Sequence, residues 1–264
     1  MEPPSPTGPQ SLTIVLPAFN EAERIGPALD ELFQFLRDAA NVGAVSGLPS
    51  KVEVLVVDDG SRDGTAGIVA ARAEAQPSRT GGAQLRLVRA KHEGKGAAVR
   101  TGMLAAEGDL IVFTDAEMAT PPDQLPKLVA ALSSADVALG SRIQPDGSDM
   151  RATQPPYRRF LGKVFHTLAS LWVVGPVQDT QCGFKGFSRD AAHDVFARQL
   201  VTSIVFDVEV IYLARRRGYR LAIVPIEWQD RRGSRMQPGA ALALRVAWDL
   251  VRIPFLHRGI RKRA

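Results

Sequence analysis

Three apolar runs in the first half of the chain each end in polar or acidic residues and then lead into a helical stretch. Residues 12–17 precede Asn20 and Glu21. Residues 52–57 precede Asp58 and Asp59, and residues 110–113 precede Asp115 and Glu117. Alternation of strands and helices predicts a parallel sheet with right-handed crossovers, which collects the carboxyl ends of its strands along one edge. Because open α/β sheets bind ligands at that edge, we predict an α/β protein with a single site there.

Asp115 and Glu117 lie one residue apart, directly after an apolar run and Thr114. In an extended segment, residues i and i+2 project to the same side. The two carboxylates can therefore offer oxygens to one Mg²⁺ or Mn²⁺ that bridges a substrate diphosphate. The D-x-E pattern alone is a weak signal, because acids flank turns in most soluble proteins, so the metal hypothesis depends on the neighbouring motifs.

Several short motifs resemble those of the inverting family-2 glycosyltransferases in order and approximate spacing. In the first half they are P-A-F-N-E at 17–21, V-D-D-G-S at 57–61, G-K-G-A-A-V-R-T-G at 94–102 and T-D-A-E at 114–117. In the second half they are G-S-R at 140–142, D-T-Q-C-G-F-K at 179–185, F-D-V-E at 206–209 and G-S-R at 233–235. The second set is similar to the group that glycosylates polyprenyl monophosphates, the dolichyl-phosphate glucosyltransferase and mannose synthase group.

The resemblance runs from about Leu12 to about Pro238. It implies a Rossmann-like, A-type nucleotide-diphospho-sugar transferase fold, with a mostly parallel central sheet flanked by helices. It also implies a donor site, in which Asp59 reads the base and Asp58 lies beside it. The other donor residues that it implies are Pro17, Phe19, Glu21, Lys95 and Asp115. The same residue types also end strands, form turns and cap helices, and this purely structural role stays open as the alternative for each of them.

Two positions depart from the family pattern. The metal motif is most often D-x-D, whereas Glu117 is the second acid here. The basic residue after the last G-S is commonly Lys, whereas Arg235 follows it here. Glu carries the same charge on one more methylene, and Arg binds phosphate through a planar fork where Lys acts as a point charge.

The implied reaction needs positioning and charge rather than a base. A polyprenyl phosphate is already an anionic nucleophile at neutral pH, so direct displacement with inversion requires no proton removal. Asp115, Glu117 and Arg235 are then the residues that stabilise the departing nucleoside diphosphate. UDP-glucose is the favoured donor, ahead of GDP-mannose, because the 179–185 motif resembles the glucosyl branch. The alternative is a family-2 transferase with a non-lipid acceptor, which would need a general base such as Asp207.

The chain divides into a disordered leader at 1–11, a nucleotide-sugar half at 12–140 and an acceptor half at 141–264, within one compact domain. Arg142 is predicted to bind the acceptor phosphate. Arg159 and Lys163, one turn apart on an amphipathic helix at 157–173, are predicted to complete that site. The ordinary polar face of a surface helix is the alternative for this pair. Asp207 and Glu209 are expected to orient sugar hydroxyls or basic side chains.

Charge and apolar residues near the C-terminus indicate a membrane surface as a partner. The formal net charge is +5, and basic residues interleave with Trp248 and Phe255. Such a segment suits an anionic leaflet, with a solvated terminal helix that covers the sheet as the alternative. No nucleic-acid module is recognisable. The chain shows no evident signal peptide or membrane span, and its single cysteine, Cys182, excludes an intrachain disulfide. We therefore predict a cytoplasmic protein at the cytoplasmic face of a membrane.

Overall fold

A computed structural model of the protein describes residues 9–76, 82–153, 162, 165, 167–177, 179–229, 231 and 240–263. Its central sheet has seven strands in the order β3-β2-β1-β4-β6-β5-β7. The strands are β1 (Ser11–Ala18), β2 (Lys51–Asp58), β3 (Gln84–Arg89), β4 (Leu110–Phe113), β5 (Val137–Ser141), β6 (Lys185–Ser188) and β7 (Leu221–Pro225). The α-helices are α1 (Ile25–Val42), α2 (Thr65–Ala70), α3 (Lys95–Ala105), α4 (Leu125–Ala131), α5 (Arg189–Arg198), α6 (Phe206–Arg217) and α7 (Ala240–Leu256).

The central strands are apolar because both faces of the sheet are covered. Along β1, Val15 belongs to a core formed with α3, α5 and α6, whereas Ile14 and Leu16 belong to a core formed with α1 and α4. This follows from the alternation of side chains along a strand. Parallel sheets buried on both faces show such continuous apolar runs, and the runs fix where each strand ends.

The predicted sheet edge is confirmed. β1 pairs in parallel with β2 and with β4, and the register places Ala18 beside Asp58 and Val15 beside Phe113. The residues that follow these three strands therefore meet at one edge. The α/β class, with a mostly parallel sheet flanked by helices, is confirmed as well.

Strand β6 is absent from the sequence-based prediction, in which its residues belong to a segment without a strand. It pairs antiparallel with both β4 and β5. Only four residues long and containing Lys185 and Gly186, it lacks the apolar run that marks a buried strand. A strand from the second half of the chain thus lies between two strands of the first, so both predicted halves share one sheet.

Several predicted boundaries move. The sequence predicts the first helix over 21–39, whereas α1 covers Ile25–Val42, because residues 22–24 form a turn in which the Glu21 carbonyl accepts from the backbone N–H groups of Arg24 and Ile25. β1 starts at Ser11, inside the predicted leader. Within the helix predicted at 157–173, the described residues 162, 165 and 167–169 are helical, and a π-helix follows at Ser170–Val174.

Helix α7 is attached to the core by apolar and polar contacts. Leu250 and Ile253 are buried, and Asp249 accepts from Ser203 Oγ at 2.5 Å. His257 Nε2 lies 2.7 Å from Glu209 Oε1, and Glu209 is itself fully buried. The Glu209 carboxylate accepts from two backbone N–H groups of the segment before α6 and also binds His257, so it orients a basic side chain, one of its two expected roles. Its role is to join α7 to the core.

Candidate active site

The turns after β1 and β2 are joined into one unit. The backbone N–H of Asn20 donates to Ser61 Oγ at 2.9 Å, and that of Arg62 donates to Asn20 Oδ1 at 2.8 Å. The φ angle of Asn20 is 55°, a left-handed conformation in which Asn is enriched among residues other than glycine. The backbone N–H of Glu21 donates to Thr65 Oγ1 at 2.8 Å. The P-A-F-N-E and V-D-D-G-S motifs therefore hold each other in place.

Phe19, His92 and Asp59 form one end of the site. The Phe19 and His92 rings stack with centroids 4.0 Å apart and an interplanar angle of 13°. Asp59 Oδ2 lies 2.8 Å from His92 Nδ1, and the Asp59 carboxylate accepts from the backbone N–H groups of Glu93 and Gly94 at 3.0 and 3.1 Å. A partly exposed aromatic face beside a carboxylate suits a nucleobase. Base reading by Asp59 stays a prediction.

Asp58 and Pro17 have positions that also serve the fold. Asp58 is buried, and its Oδ1 accepts from the backbone N–H of Ser61 at 3.1 Å, which closes the turn after β2. Pro17 lies in β1 opposite Val57 of β2. Both residues adjoin the edge of the sheet, and their part in donor binding stays a prediction.

Asp115 is paired with Lys95, the first residue of α3. Lys95 Nζ lies 2.6 Å from Asp115 Oδ1. Burial disfavours the charge of Lys95, but Asp115 and Asp207 outweigh that effect and raise its pKa. Gly183 passes directly over Asp115, because a Cβ added at Gly183 would lie 2.3 Å from Asp115 Oδ2. The 179–185 motif thus contains a glycine where any side chain would collide with this carboxylate.

Glu117 is paired with Arg24, which lies just before α1. Arg24 Nη1 lies 3.1 Å from Glu117 Oε2, and the same guanidinium binds Glu21 through Nε and Nη2 at 2.6 and 2.7 Å. Burial and the nearby Asp115 raise the pKa of Glu117, while Arg24 opposes the rise. Each acid of the D-x-E motif therefore faces a cation. Among the residues that the structure describes, no three or more His, Cys, Asp or Glu side chains are grouped to hold a metal ion.

Asp207 lies beneath this edge in a buried ion pair. Its Oδ1 is 2.5 Å from Lys185 Nζ, which also donates to the Cys182 carbonyl at 2.5 Å. Lys185 is fully buried and lies 5.4 Å from the centroid of the Phe113 ring. Asp207 thus orients a basic side chain, as one of its two expected roles requires. Its direct part in catalysis stays a prediction.

Arg142 is held by Asp179. Nε and Nη2 of Arg142 each lie 2.7 Å from one oxygen of that carboxylate, and the Arg142 backbone N–H donates to it at 3.0 Å. Burial acts to raise the pKa of Asp179, but the Arg142 guanidinium outweighs it and lowers that pKa. The Arg142 guanidinium also lies 5.6 Å from the centroid of the Trp228 ring. Its fork is occupied within the protein, and acceptor binding by Arg142 stays a prediction.

Three predicted cations, Arg159, Lys163 and Arg235, lie outside the described residues. The chain just before Arg235 runs beside the acidic edge. The backbone N–H of Gln229 donates to the Ala119 carbonyl at 2.9 Å, and Arg231 binds both oxygens of Glu31 on α1 at 2.7 and 2.8 Å. Residue 229 therefore lies in contact with the residues just after Glu117 in the chain.

The site contains three residues to which the sequence analysis assigned no role. They are Arg24, His92 and Lys185. Arg24 had one usable signal, since it follows Glu21 by three residues, a spacing that favours ion pairing around a helical turn. Lys185 is a single charge between Phe184 and Phe187, which indicates a buried cation with a partner. His92 carries no comparable signal, because its partners come from distant motifs.

Comparison with known proteins agrees with these motifs. Residues 13–196 match the model of the family described as glycosyl transferase family 2. A dolichyl-phosphate beta-glucosyltransferase of Trichomonas vaginalis is 37% identical over 253 residues, which cover 93% of this chain and 71% of the relative. A dolichyl-phosphate beta-glucosyltransferase of Dictyostelium discoideum is 32% identical over 250 residues, which cover 92% and 74% of the two chains.

The fold has solved counterparts. Glucosyl-3-phosphoglycerate synthase from Mycobacterium tuberculosis, in complex with Mn²⁺, UDP-glucose and phosphoglyceric acid, superposes with a TM-score of 0.61. The match covers 96% of this chain and 81% of that one at 18% identity. The likeness confirms the A-type transferase fold.

Proposed function

Since the chain belongs to glycosyltransferase family 2, and within it to the dolichyl-phosphate β-glucosyltransferase group, we propose that it transfers glucose from UDP-glucose to dolichyl phosphate or a related polyprenyl phosphate, with inversion. The observation that carries the proposal is the convergence of three motifs at one sheet edge. Phe19 and Asp59 form one end, and Asp115 with its partner Lys95 forms the other. An aromatic face, carboxylates and cations along one edge suit a nucleoside diphosphate.

Asp115 and Glu117 suit a hard divalent cation. Both offer carboxylate oxygens, and Mg²⁺ is commonly held by one or two carboxylates with the remaining ligands from substrate phosphates and water. Fewer than three protein acids are therefore enough for such a site. When bound, Mg²⁺ or Mn²⁺ supplies Lewis-acid neutralisation of the charge that develops on the departing UDP. Metal dependence is part of this proposal, and it draws support from the Mn²⁺ in the mycobacterial complex.

The placement of Asp207 favours a phosphate acceptor over a hydroxyl acceptor. Transfer to a hydroxyl needs a general base within reach of the nucleophile. Asp207, the base that the sequence offered, is buried and lies 2.5 Å from Lys185 Nζ. A lipid phosphate attacks as an anion and needs no base, so the chain's task reduces to holding the two anionic substrates in line. Arg142, Arg159, Lys163 and Arg235 remain the proposed cations for that task.

A surface of exposed apolar residues supports contact with a membrane. On α7, Leu244, Trp248, Val251 and Phe255 lie on one helical face and are exposed. The exposed Trp172 joins this face, with its ring centroid 6.4 Å from that of Phe255. Arg258 lies 4.6 Å from the centroid of the Phe255 ring. Aromatic residues beside arginines suit the boundary between headgroups and acyl chains of an anionic leaflet.

None of the described helices is both long and apolar enough to cross a bilayer. The exposed apolar residues of α7 and Trp172 support our proposal of peripheral attachment through this face, at the cytoplasmic leaflet. Removing the whole C-terminal helix is not a clean test, because Leu250 and Ile253 on its inner side are buried in the core. Point substitutions of the exposed residues separate the two roles.

Replacing Leu171, Trp172, Trp248 and Phe255 together with Ser should weaken binding to vesicles containing phosphatidylserine by at least about tenfold, because four apolar side chains no longer enter the interface. Co-sedimentation measures the binding, and rising salt should weaken what remains. The matched control replaces Val42 and Leu200, which are exposed at 57% and 56%, with Ser. Unchanged vesicle binding by the fourfold variant would contradict attachment through this face.

The function itself is tested with radiolabelled donors. The purified protein is incubated with UDP-glucose or GDP-mannose and with either a short-chain polyprenyl phosphate or 3-phosphoglycerate. We expect label to move from UDP-glucose to the lipid phosphate, with a β linkage in the product by NMR. Transfer only to 3-phosphoglycerate, or only to water, would overturn the lipid-phosphate proposal, and a preference for GDP-mannose would overturn the donor.

A further inference from the structure

Arg24 connects two carboxylates of the candidate site. Its guanidinium binds both oxygens of Glu21, at 2.6 and 2.7 Å, and reaches Glu117 Oε2 at 3.1 Å. The Arg24 side chain is only 22% exposed. It is therefore mostly covered by its neighbours, and it holds one of the two acids proposed to bind the divalent cation.

The backbone fixes Arg24 at this position. The N–H groups of Arg24 and Ile25 both donate to the Glu21 carbonyl, at 2.9 and 2.8 Å. Glu21 is anchored in turn to Thr65, through its own N–H. Because Arg24 immediately precedes α1, whose buried residues pack on the sheet, its guanidinium has a fixed base close to the acidic edge.

The local charge explains why a cation is needed there. Glu21, Asp115 and Glu117 supply three negative charges, and Lys95 and Arg24 supply two positive ones. A divalent cation on Asp115 and Glu117 would take over the neutralisation that Lys95 and Arg24 now provide. Both side chains would then have charge to offer to another anion, and the donor diphosphate is the anion that occupies this place in the proposed reaction.

We propose that Arg24 is a donor-binding residue that exchanges partners: it holds Glu117 in the nucleotide-free protein and contacts the donor diphosphate once Glu117 binds a divalent cation. The proposal rests on the proposed function. Nε and Nη2 of Arg24 stay on Glu21, and Nη1, the arm that Glu117 releases, donates to a phosphate oxygen. Lys95 pairs with Asp115 in the same manner, so each acid of the D-x-E motif has a cation beside it that a bound metal ion would release.

The test measures two binding equilibria instead of turnover. In Arg24→Gln, Mn²⁺ should bind the nucleotide-free protein several-fold more tightly, because a competing cation has left Glu117. Electron paramagnetic resonance of free Mn²⁺ gives this affinity. At saturating Mn²⁺, the same variant should bind UDP about tenfold more weakly by calorimetry, since charge-assisted bonds to phosphate are lost.

Arg72→Gln is the matched control. Arg72 also connects two carboxylates, Asp30 and Glu74, and its side chain is 15% exposed, but those partners are outside the candidate site. Both affinities should match the wild type in this variant. Arg24→Lys is the second test, and it should keep Mn²⁺ binding near the wild-type value while weakening UDP binding, because the single ammonium retains the charge but has no separate arm to offer phosphate while it binds Glu21.

Three results would overturn the proposal. Unchanged UDP affinity in both Arg24 variants would make Arg24 only a counter-ion of Glu117. Weaker Mn²⁺ binding in Arg24→Gln would mean that Arg24 positions the acids for the metal. Unchanged values throughout would remove it from the site. Failure of the proposed function is a separate result, in which the wild type binds Mn²⁺ and UDP yet transfers no glucose to the lipid phosphate.

Discussion

Asp115→Asn is expected to lower glucose transfer to the lipid acceptor by on the order of a hundredfold or more. The carboxylate that it removes is the nearer of the two proposed metal ligands to β4, and it also binds Lys95 Nζ at 2.6 Å. An amide keeps the size but lacks the charge that would hold a divalent cation. Binding of UDP in the presence of Mn²⁺ should weaken in parallel, because the proposed cation would neutralise the diphosphate both in the bound nucleotide and as UDP departs.

Initial rates with saturating UDP-glucose, together with calorimetry of UDP, measure both effects for Asp115→Asn. The control is Asp123→Asn, the same substitution eight residues later, where the carboxylate is exposed and accepts from the adjacent Gln124 side chain at 2.9 Å. Its rate should match the wild type. Full activity of Asp115→Asn in the presence of a chelator would remove the divalent cation from the mechanism.

The position of the acidic edge was predictable from the sequence for a physical reason. A buried strand such as 110–113 stays apolar until the chain leaves the sheet, so the end of the apolar run marks the end of the strand. In a parallel sheet the carboxyl ends of the strands lie at the same edge. Asp59 and Asp115 could therefore be placed at one edge without coordinates. The turns could not be placed to the residue, because the entry to α1 depends on a left-handed Asn20 and a bond to Ser61, which no apolar pattern records.

The partners of the predicted site residues were beyond the sequence. Lys95 pairs with Asp115 across 20 positions, and Arg24 pairs with Glu117 across 93. Arg142 was expected to face a phosphate, but Asp179, 37 positions later, accepts both arms of its fork. The sequence shows that a basic side chain is present. Which of several nearby acidic groups it pairs with is determined by the tertiary fold.

Helix α7 shows the same limit. The interleaving of basic and apolar residues predicted a helix with one membrane-facing side. It did not separate Leu250 and Ile253, which pack inward, from Trp248 and Phe255, which are exposed. It also did not indicate that His257 binds Glu209, because a buried polar pair between residues far apart in the chain produces no periodic pattern in the sequence.

Lys185→Met is expected to reduce the free energy of unfolding by about 3–5 kcal/mol, because it leaves Asp207 buried without its ion-pair partner. Lys185 is fully buried, 2.5 Å from Asp207 Oδ1, and lies on β6 between two strands of the sheet. Methionine fills a similar volume, so the loss comes mainly from the uncompensated charge. Urea unfolding followed by circular dichroism gives the free energy.

The partner variant separates charge from packing. Adding Asp207→Asn to Lys185→Met removes the unpaired carboxylate and should recover a substantial part of the lost stability, since a buried amide costs less than a buried charge. Lys127→Met is the matched control, because Lys127 is exposed and donates to the neutral side chain of Gln124 at 2.7 Å. It should change the unfolding free energy by less than about 0.5 kcal/mol. A Lys185→Met protein as stable as this control would show that Asp207 is neutral or finds another partner, and the buried pair would then not hold β6 under the acidic edge.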